Sequence, residues 1–182
     1  MGSVTDVIKT TVDKLNAEGR KTGLITVHLY RPFSLKHLID VYPKTAKKIC
    51  VLDRTKEPGA NGEPLYLDVV EAFKDCPHKP FIIGGRYGLS SKDTTPSHIL
   101  SVFNNLSSEN PKNQFTIGIV DDVTFRSLPI LPEVSMLPKG TFEAKFYGLG
   151  ADGTVGANKN SIKIIGENTD KYCQAYFDYD SK

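Results

Sequence analysis

The composition of this 182-residue chain is typical of a globular protein with an ordinary hydrophobic core, because 39% of its residues are hydrophobic and 24% are charged. Its formal net charge of +2 at pH 7 gives no electrostatic reason to expect a nucleic acid or an anionic membrane as partner. No apolar run is long enough to cross a bilayer and no signal peptide is recognisable, so the sequence predicts a cytoplasmic protein.

Short apolar runs alternate with helical patterns over the first 138 residues. An amphipathic helix comes first and ends near Gly19. The apolar runs cover residues 23–30, 49–53, 80–85 and 115–121. Helical patterns follow the first three runs, at residues 34–42, 62–75 and 95–106. This alternation predicts an α/β domain in which an open, mostly parallel sheet carries helices on both faces.

The pattern changes after the fourth run. Residues 121–140 contain Pro129, Pro132 and Pro138 without any clear period, which is typical of a connection between domains. A strand, a glycine-rich turn, a helix and a second strand are predicted from Thr141 onward. Such a βαβ segment of about forty residues cannot cover its own sheet. We therefore expect a first domain at residues 1–138 and a truncated second domain at residues 139–182.

The glycine-rich turn at residues 148–159 is a candidate ligand site. Gly148, Gly150 and Gly153 fit the pattern GxGxxG between a predicted strand and a predicted helix, where backbone N–H groups approach a phosphate closely. Asp152 lies inside the turn and would repel a pyrophosphate unless a cation such as Lys159 offset its charge. The alternative interpretation is that these glycines only permit a tight turn between strand and helix.

Two charged loops follow predicted strands at the carboxyl edge of the sheet, where ligands and partner surfaces gather in open α/β folds. The loop at residues 52–64 carries Asp53, Arg54 and Lys56, and the loop at residues 84–96 carries Arg86. The competing interpretation is a solvated loop and a capped helix entry whose charges pair with one another or with water. The sequence yields no constellation of nucleophile, base and acid.

The three cysteines give no indication of a metal site. Cys50, Cys76 and Cys173 are widely spaced and form no CxxC pair, so neither a zinc knuckle nor an iron–sulfur cluster is expected within the chain. The four histidines are scattered in the same way, and a structural role is expected for each.

Five longer motifs carry a resemblance to a known family. They are HLYRPFS (28–34), VLDRTKEPGANGEPLYLDV (51–69), GGRYGLSSKDTTP (84–96), VDDVTFRSLP (120–129) and FYGLGADGTVGANKNSIKIIGENTD (146–170). Together they closely resemble pyruvate:ferredoxin (or flavodoxin) oxidoreductase, also called pyruvate synthase, over essentially the whole chain. The resemblance implies a large, cytoplasmic, homodimeric parent that converts pyruvate to acetyl-CoA and carbon dioxide. Its cofactors are thiamine diphosphate with Mg and [4Fe–4S] clusters, coenzyme A is its co-substrate, and ferredoxin or flavodoxin accepts the electrons.

The resemblance also implies a place within that parent. Residues to about Pro138 are similar to the family's second domain, which is like the C-terminal domain of transketolases, and the segment from about Thr141 is similar to the start of its third domain. The domains that hold thiamine diphosphate and the clusters are then elsewhere. The chain is therefore expected to be an inactive scaffold piece, with no catalytic residue, metal or cofactor of its own.

Site residues follow from the resemblance by position. The third domain is associated with coenzyme A, and the matching positions are Gly148, Gly150, Asp152, Gly153, Thr154 and Lys182. Contacts with the remaining domains are expected at Asp53, Arg54, Lys56 and Arg86. Two alternatives stay open: an independent module that binds a nucleotide or coenzyme A, and an interaction domain without a ligand.

Overall fold

The computed structural model describes residues 1–179, apart from the side chain of Ser91, and divides into two compact units. The first unit spans Met1–Met136 and the second begins at Leu137. None of the helices in the described part of the chain combines the length and the apolar character that crossing a membrane requires.

A parallel sheet of three strands lies at the centre of the first unit. The strands are β1 (Lys48–Asp53), β2 (Phe81–Arg86) and β3 (Phe115–Thr116), in the spatial order β1-β2-β3. The register of β1 on β2 runs from Lys48 opposite Phe81 to Asp53 opposite Arg86, and Gly85 of β2 lies opposite Phe115 of β3. The predicted α/β class with an open parallel sheet is confirmed.

Helices cover both faces of this sheet. They are α1 (Thr5–Ala17), α2 (Leu35–Val41), α3 (Pro64–Phe73) and α4 (Pro96–Ser107), with a 3₁₀ turn at Leu89–Ser91. Side chains alternate along β1 as a strand requires. Cys50 and Leu52 pack against the hydrophobic cluster that includes residues of α1 and α4, whereas Ile49 and Val51 belong with the cluster of α2 and α3. The prediction of helices on both faces is therefore confirmed.

The helix ends follow the sequence signals. Pro64 and Pro96 are the first residues of α3 and α4, where a missing N–H costs nothing because that group has no partner within the helix. Ser34 caps α2, since its Oγ accepts a hydrogen bond from the N–H of His37 at 3.3 Å. Gly19, with φ of +84°, follows the end of α1.

The predicted strand at residues 23–30 is wrong. Leu24 packs against one core cluster and Val27 against the other, so the apolar side chains of this run do contribute to the core. No ladder joins this segment to β1, however, and it has no regular secondary structure. A strand requires backbone partners as well as buried apolar side chains. The run at residues 115–121 is also shorter than predicted, because the positive φ of Gly118 (+78°) ends the extended backbone beyond β3.

The second unit contains one helix, α5 (Thr154–Asn168), among its described residues. The strands predicted on either side of it are wrong over residues 142–147 and 171–179, where the backbone forms no ladder. Phe142 and Tyr147 are largely exposed and α5 has no buried residue. Alternating side chains here have no apolar layer to pack against, so nothing stabilises a pair of strands.

Candidate functional site at the carboxyl edge of the sheet

Asp53 is the last residue of β1, and its carboxylate caps the first turn of α3. Oδ1 accepts the N–H of Leu65 and Oδ2 accepts the N–H of Tyr66, both at 3.1 Å. The residue is only 2% exposed, and this burial raises its pKa, although the two hydrogen bonds act in the opposite direction. A carboxylate at this place satisfies free helix N–H groups and faces the positive end of the helix dipole. Asp53 therefore ties the strand end to the helix start.

Arg86, opposite Asp53 in the sheet register, forms a buried ion pair with Glu63. Its Nε donates to Oε1 of Glu63 at 2.5 Å, and the side chains are 14% and 2% exposed, respectively. Oε2 of Glu63 has no hydrogen-bond partner among the described residues. Nη1 of Arg86 also donates to the carbonyl of Gln114 at 3.3 Å. The guanidinium thus joins the end of β2 to the start of α3 and to the chain entering β3.

The other two charged residues predicted at this edge lie on the surface. Arg54 is exposed, and its Nη1 donates to Oγ of Ser3 at 3.2 Å. Lys56 is also exposed. The four residues therefore do not form one cluster: two stabilise the edge from inside, and two remain available at its surface.

This edge also includes three polar residues that were not predicted from the sequence, namely Glu63, Asn113 and Gln114. Asn113 Oδ1 accepts the N–H groups of Gly84 and Gln114, both at 2.8 Å. Gln114 adopts a left-handed backbone with φ of +53°, and its Nε2 donates to the carbonyl of Asn61 at 2.6 Å. Glu63 had a usable signal, since it immediately precedes the proline that begins a helix. The two amides had none, because Gly84 and Asn61, which they hold at this edge, are distant in the sequence.

The glycine-rich turn of the second unit is organised by its own carboxylate. Asp152 Oδ2 accepts the N–H of Leu149 at 2.8 Å, and Oδ1 accepts both the N–H and the hydroxyl of Thr154, at 3.0 and 2.6 Å. These bonds hold the pKa of Asp152 at about 2. Gly153 precedes α5 with φ of +86°. The N–H groups that a phosphate would use therefore already bind an anionic group. Lys182, the remaining predicted position, lies outside the described residues.

The described residues offer no fitting donor set for an iron–sulfur cluster or a metal ion. The three cysteines are free, and no group of three or more His, Cys, Asp or Glu side chains within residues 1–179 is arranged to hold a metal.

An open parallel sheet with helices on both faces, and with an Asp53 cap and an Arg86–Glu63 ion pair at its carboxyl edge, defines an α/β domain of the open-sheet class. Residues 1–99, more than half of the chain, match the family profile described as pyruvate:ferredoxin oxidoreductase core domain II. The chain belongs to the pyruvate:ferredoxin oxidoreductase family. This match confirms the resemblance drawn from the motifs.

Individual relatives match the chain from end to end. It is 60% identical to pyruvate-flavodoxin oxidoreductase of Enterobacter agglomerans and 57% identical to pyruvate:ferredoxin oxidoreductase of Moorella thermoacetica, in both cases over 100% of this chain. It is 50% identical to the mitochondrial pyruvate dehydrogenase [NADP(+)] of Euglena gracilis. The chain spans only 16% of the length of the first two relatives and 10% of the third.

Proposed function

We propose that this chain is part of a longer oxidoreductase that converts pyruvate and coenzyme A to acetyl-CoA and carbon dioxide. The observation that carries the proposal is the 60% and 57% identity, over the whole chain, to relatives named for the oxidation of pyruvate. In the longer protein, thiamine diphosphate with Mg would supply the carbon chemistry and [4Fe–4S] clusters would carry the electrons. The family resemblance is the basis for proposing these cofactors, a cytoplasmic location and a homodimeric protein.

Ferredoxin or flavodoxin is the proposed electron acceptor. The names of relatives that are 50–60% identical in this region specify flavodoxin, ferredoxin or NADP(+). Since one conserved segment occurs with all three, we infer that the choice of acceptor is made outside these 182 residues.

Within that protein we assign residues 1–138 to a scaffold domain, the family's second, and residues 139–182 to the beginning of the third. The scaffold assignment is supported by two charged residues at the edge of the sheet. Asp53 and Arg86 form hydrogen bonds within the domain, to α3 and to the chain entering β3, and so stabilise the fold. Arg54 and Lys56, which are exposed, are the proposed contacts with the remaining domains. The isolated chain is accordingly proposed to be inactive.

The longer protein is expected to reduce methyl viologen only when pyruvate and coenzyme A are both present, with acetyl-CoA as product. Arg54→Glu/Lys56→Glu is expected to lower this activity roughly fivefold, the equivalent of about 1 kcal/mol of lost contact between domains. Lys21→Glu/Lys44→Glu, an equal charge change at two exposed lysines, is the control and should have little effect. Absence of pyruvate-dependent reduction in the wild-type protein would refute the proposed activity.

A second candidate function is the binding of coenzyme A at Gly148, Gly150, Asp152, Gly153, Thr154 and Lys182. It is favoured by the start of α5 at this turn, because the first N–H groups of a helix have no partner within it and face an anion. Asp152 takes the N–H groups of Leu149 and Thr154, so a phosphate would use the N–H groups that follow or displace this carboxylate. Isothermal titration of the 182-residue chain with coenzyme A is expected to give a micromolar Kd if the turn is a phosphate site. Binding should then disappear in Gly150→Asp/Gly153→Asp.

The matched control for this titration is Gly140→Asp/Gly166→Asp. An added Cβ meets no atom within 4 Å at either position, so this variant adds the same two charges without a clash. Gly140 has a φ of +90°, so its replacement also strains the backbone, as replacement of Gly150 and Gly153 does. If both double variants lose binding equally, the loss comes from the added negative charge and not from the geometry of the turn. If the wild-type chain gives no heat of binding, the turn is not a coenzyme A site and serves only to begin α5.

A further inference from the structure

Residues 120–130 of the first unit present four large apolar side chains to solvent. Val120, Val123, Phe125 and Ile130 are between 69% and 81% exposed. Single exposed apolar residues are common, but several in one short segment indicate a surface that another polypeptide covers. We call residues 120–130 the apolar segment.

The apolar segment is firmly built into the fold. Leu128 is buried, and its N–H donates to the carbonyl of Thr116 in β3 at 2.9 Å. The hydroxyl of Thr124 donates to Asp121 Oδ2, and Oδ1 accepts the N–H groups of Thr124 and Val123 at 2.9 and 3.1 Å. These bonds, the hydroxyl bond above all, hold the pKa of Asp121 well below its usual range. The exposed side chains are therefore carried by an ordered loop.

Phe125 has a backbone conformation that phenylalanine rarely adopts. Its φ of +55° lies in the left-handed region, which is unfavourable for a bulky residue. Lys112 Nζ donates to the Phe125 carbonyl at 3.3 Å, and the Phe125 ring is 74% exposed. Because the ring is exposed, its burial cannot offset the strain of the left-handed backbone at Phe125. The loop therefore maintains this backbone conformation, which directs the ring outward. Backbone strain of this kind concentrates at functional surfaces.

A basic groove of about 400 Å³ adjoins the ring and is lined by Lys112, Asn113, Gln114, Phe125 and Arg126. Lys112 Nζ also donates to the Ser127 carbonyl at 3.1 Å, and Arg126 Nη1 donates to Gln114 Oε1 at 2.9 Å. These partners are neutral. Across residues 1–179, neither cation takes part in an ion pair. Both cations therefore keep their charge available for an external carboxylate.

We propose that the apolar segment and the basic groove form one docking surface for an acidic, partly apolar segment of the longer polypeptide. Phe125 is the apolar anchor, and Lys112 and Arg126 pair with carboxylates of that segment. The proposal rests on the proposed function in one respect, namely that the chain belongs to a longer protein. Relatives of which this chain spans 16% contain ample polypeptide to supply such an occupant.

Photo-crosslinking in the longer protein tests this assignment. With Phe125 replaced by p-benzoyl-L-phenylalanine, or Val123 as a second position, we expect a crosslink within one polypeptide to a peptide outside residues 1–182 that contains Asp or Glu. Lys112→Glu/Arg126→Glu should lower the crosslink yield at least fivefold. Lys21→Glu/Lys44→Glu, the control with the same charge change, should leave the yield within a factor of two.

Three results would overturn the proposal. They are a crosslink to residues 137–182, a crosslink between two copies of the protein, and no crosslink from either position in a folded protein. Crosslinking requires no turnover, so it is read separately from the activity assay. A wild-type protein that gives the expected crosslink but does not oxidise pyruvate would refute only the proposed activity.

Discussion

Arg86→Leu is expected to destabilise the first unit by about 3–5 kcal/mol, because it leaves the carboxylate of Glu63 buried without its partner. Glu63 is 2% exposed and its second oxygen already lacks a hydrogen bond among the described residues, so the local structure offers it no other donor. The cost is therefore that of an unpaired buried charge, which exceeds the value of an exposed ion pair. Urea unfolding followed by NMR signals of β1 and β2 measures it.

The control for Arg86→Leu is the double variant Glu63→Leu/Arg86→Leu. It removes both charges, and replacement of a buried pair by apolar residues is often close to neutral in stability. We expect the double variant to recover at least half of the loss. If the single and the double variants unfold at the same urea concentration, the destabilisation comes from lost packing of the Arg86 side chain.

Local signals in the sequence were sufficient for the helices and for the two longer strands. Pro64 and Pro96 mark helix starts, and the apolar run at residues 49–53 marks β1. A similar apolar run at residues 23–30 predicted a strand that is not present, because an apolar run reports which side chains are buried and says nothing about backbone partners.

The candidate site shows the same limit. The sequence placed Asp53 and Arg86 at the carboxyl edge, and the parallel register brings them opposite each other there. It did not reveal that both bind the start of α3, where Asp53 caps the first turn and Arg86 pairs with Glu63, the residue before the helix. Such partners depend on the packing of α3 over the sheet, which only the three-dimensional structure defines.

The two glycines before Arg86 show how closely aromatic rings approach β2. A Cβ at Gly84 would lie 2.8 Å from the ring of Tyr66, and one at Gly85 would lie 2.2 Å from the ring of Phe115. Successive strand residues face opposite sides, so the rings fill the space over the two glycines from the two faces of the sheet. Glycine in a strand is typical of such a close approach.

Gly85→Ala is therefore expected to destabilise the first unit by about 3 kcal/mol, at the upper end of the usual cost of overpacking. Phe115 is fully buried and opposite Gly85 in the register, so its ring cannot move into solvent. Urea unfolding measures the loss. Gly23→Ala is the matched control, because an added Cβ there meets no atom within 4 Å, and we expect a change within about 0.5 kcal/mol.

The double variant Gly85→Ala/Phe115→Leu separates the clash from a general effect of alanine in the strand. Leucine lacks the ring atoms that the new Cβ would meet, so the two changes should compensate each other. We expect the double variant to be more stable than the sum of the single effects predicts, by at least about 1 kcal/mol. Simple additivity would mean that β2 shifts to accommodate the methyl group. The ring of Phe115 would then not be the reason why glycine occupies position 85.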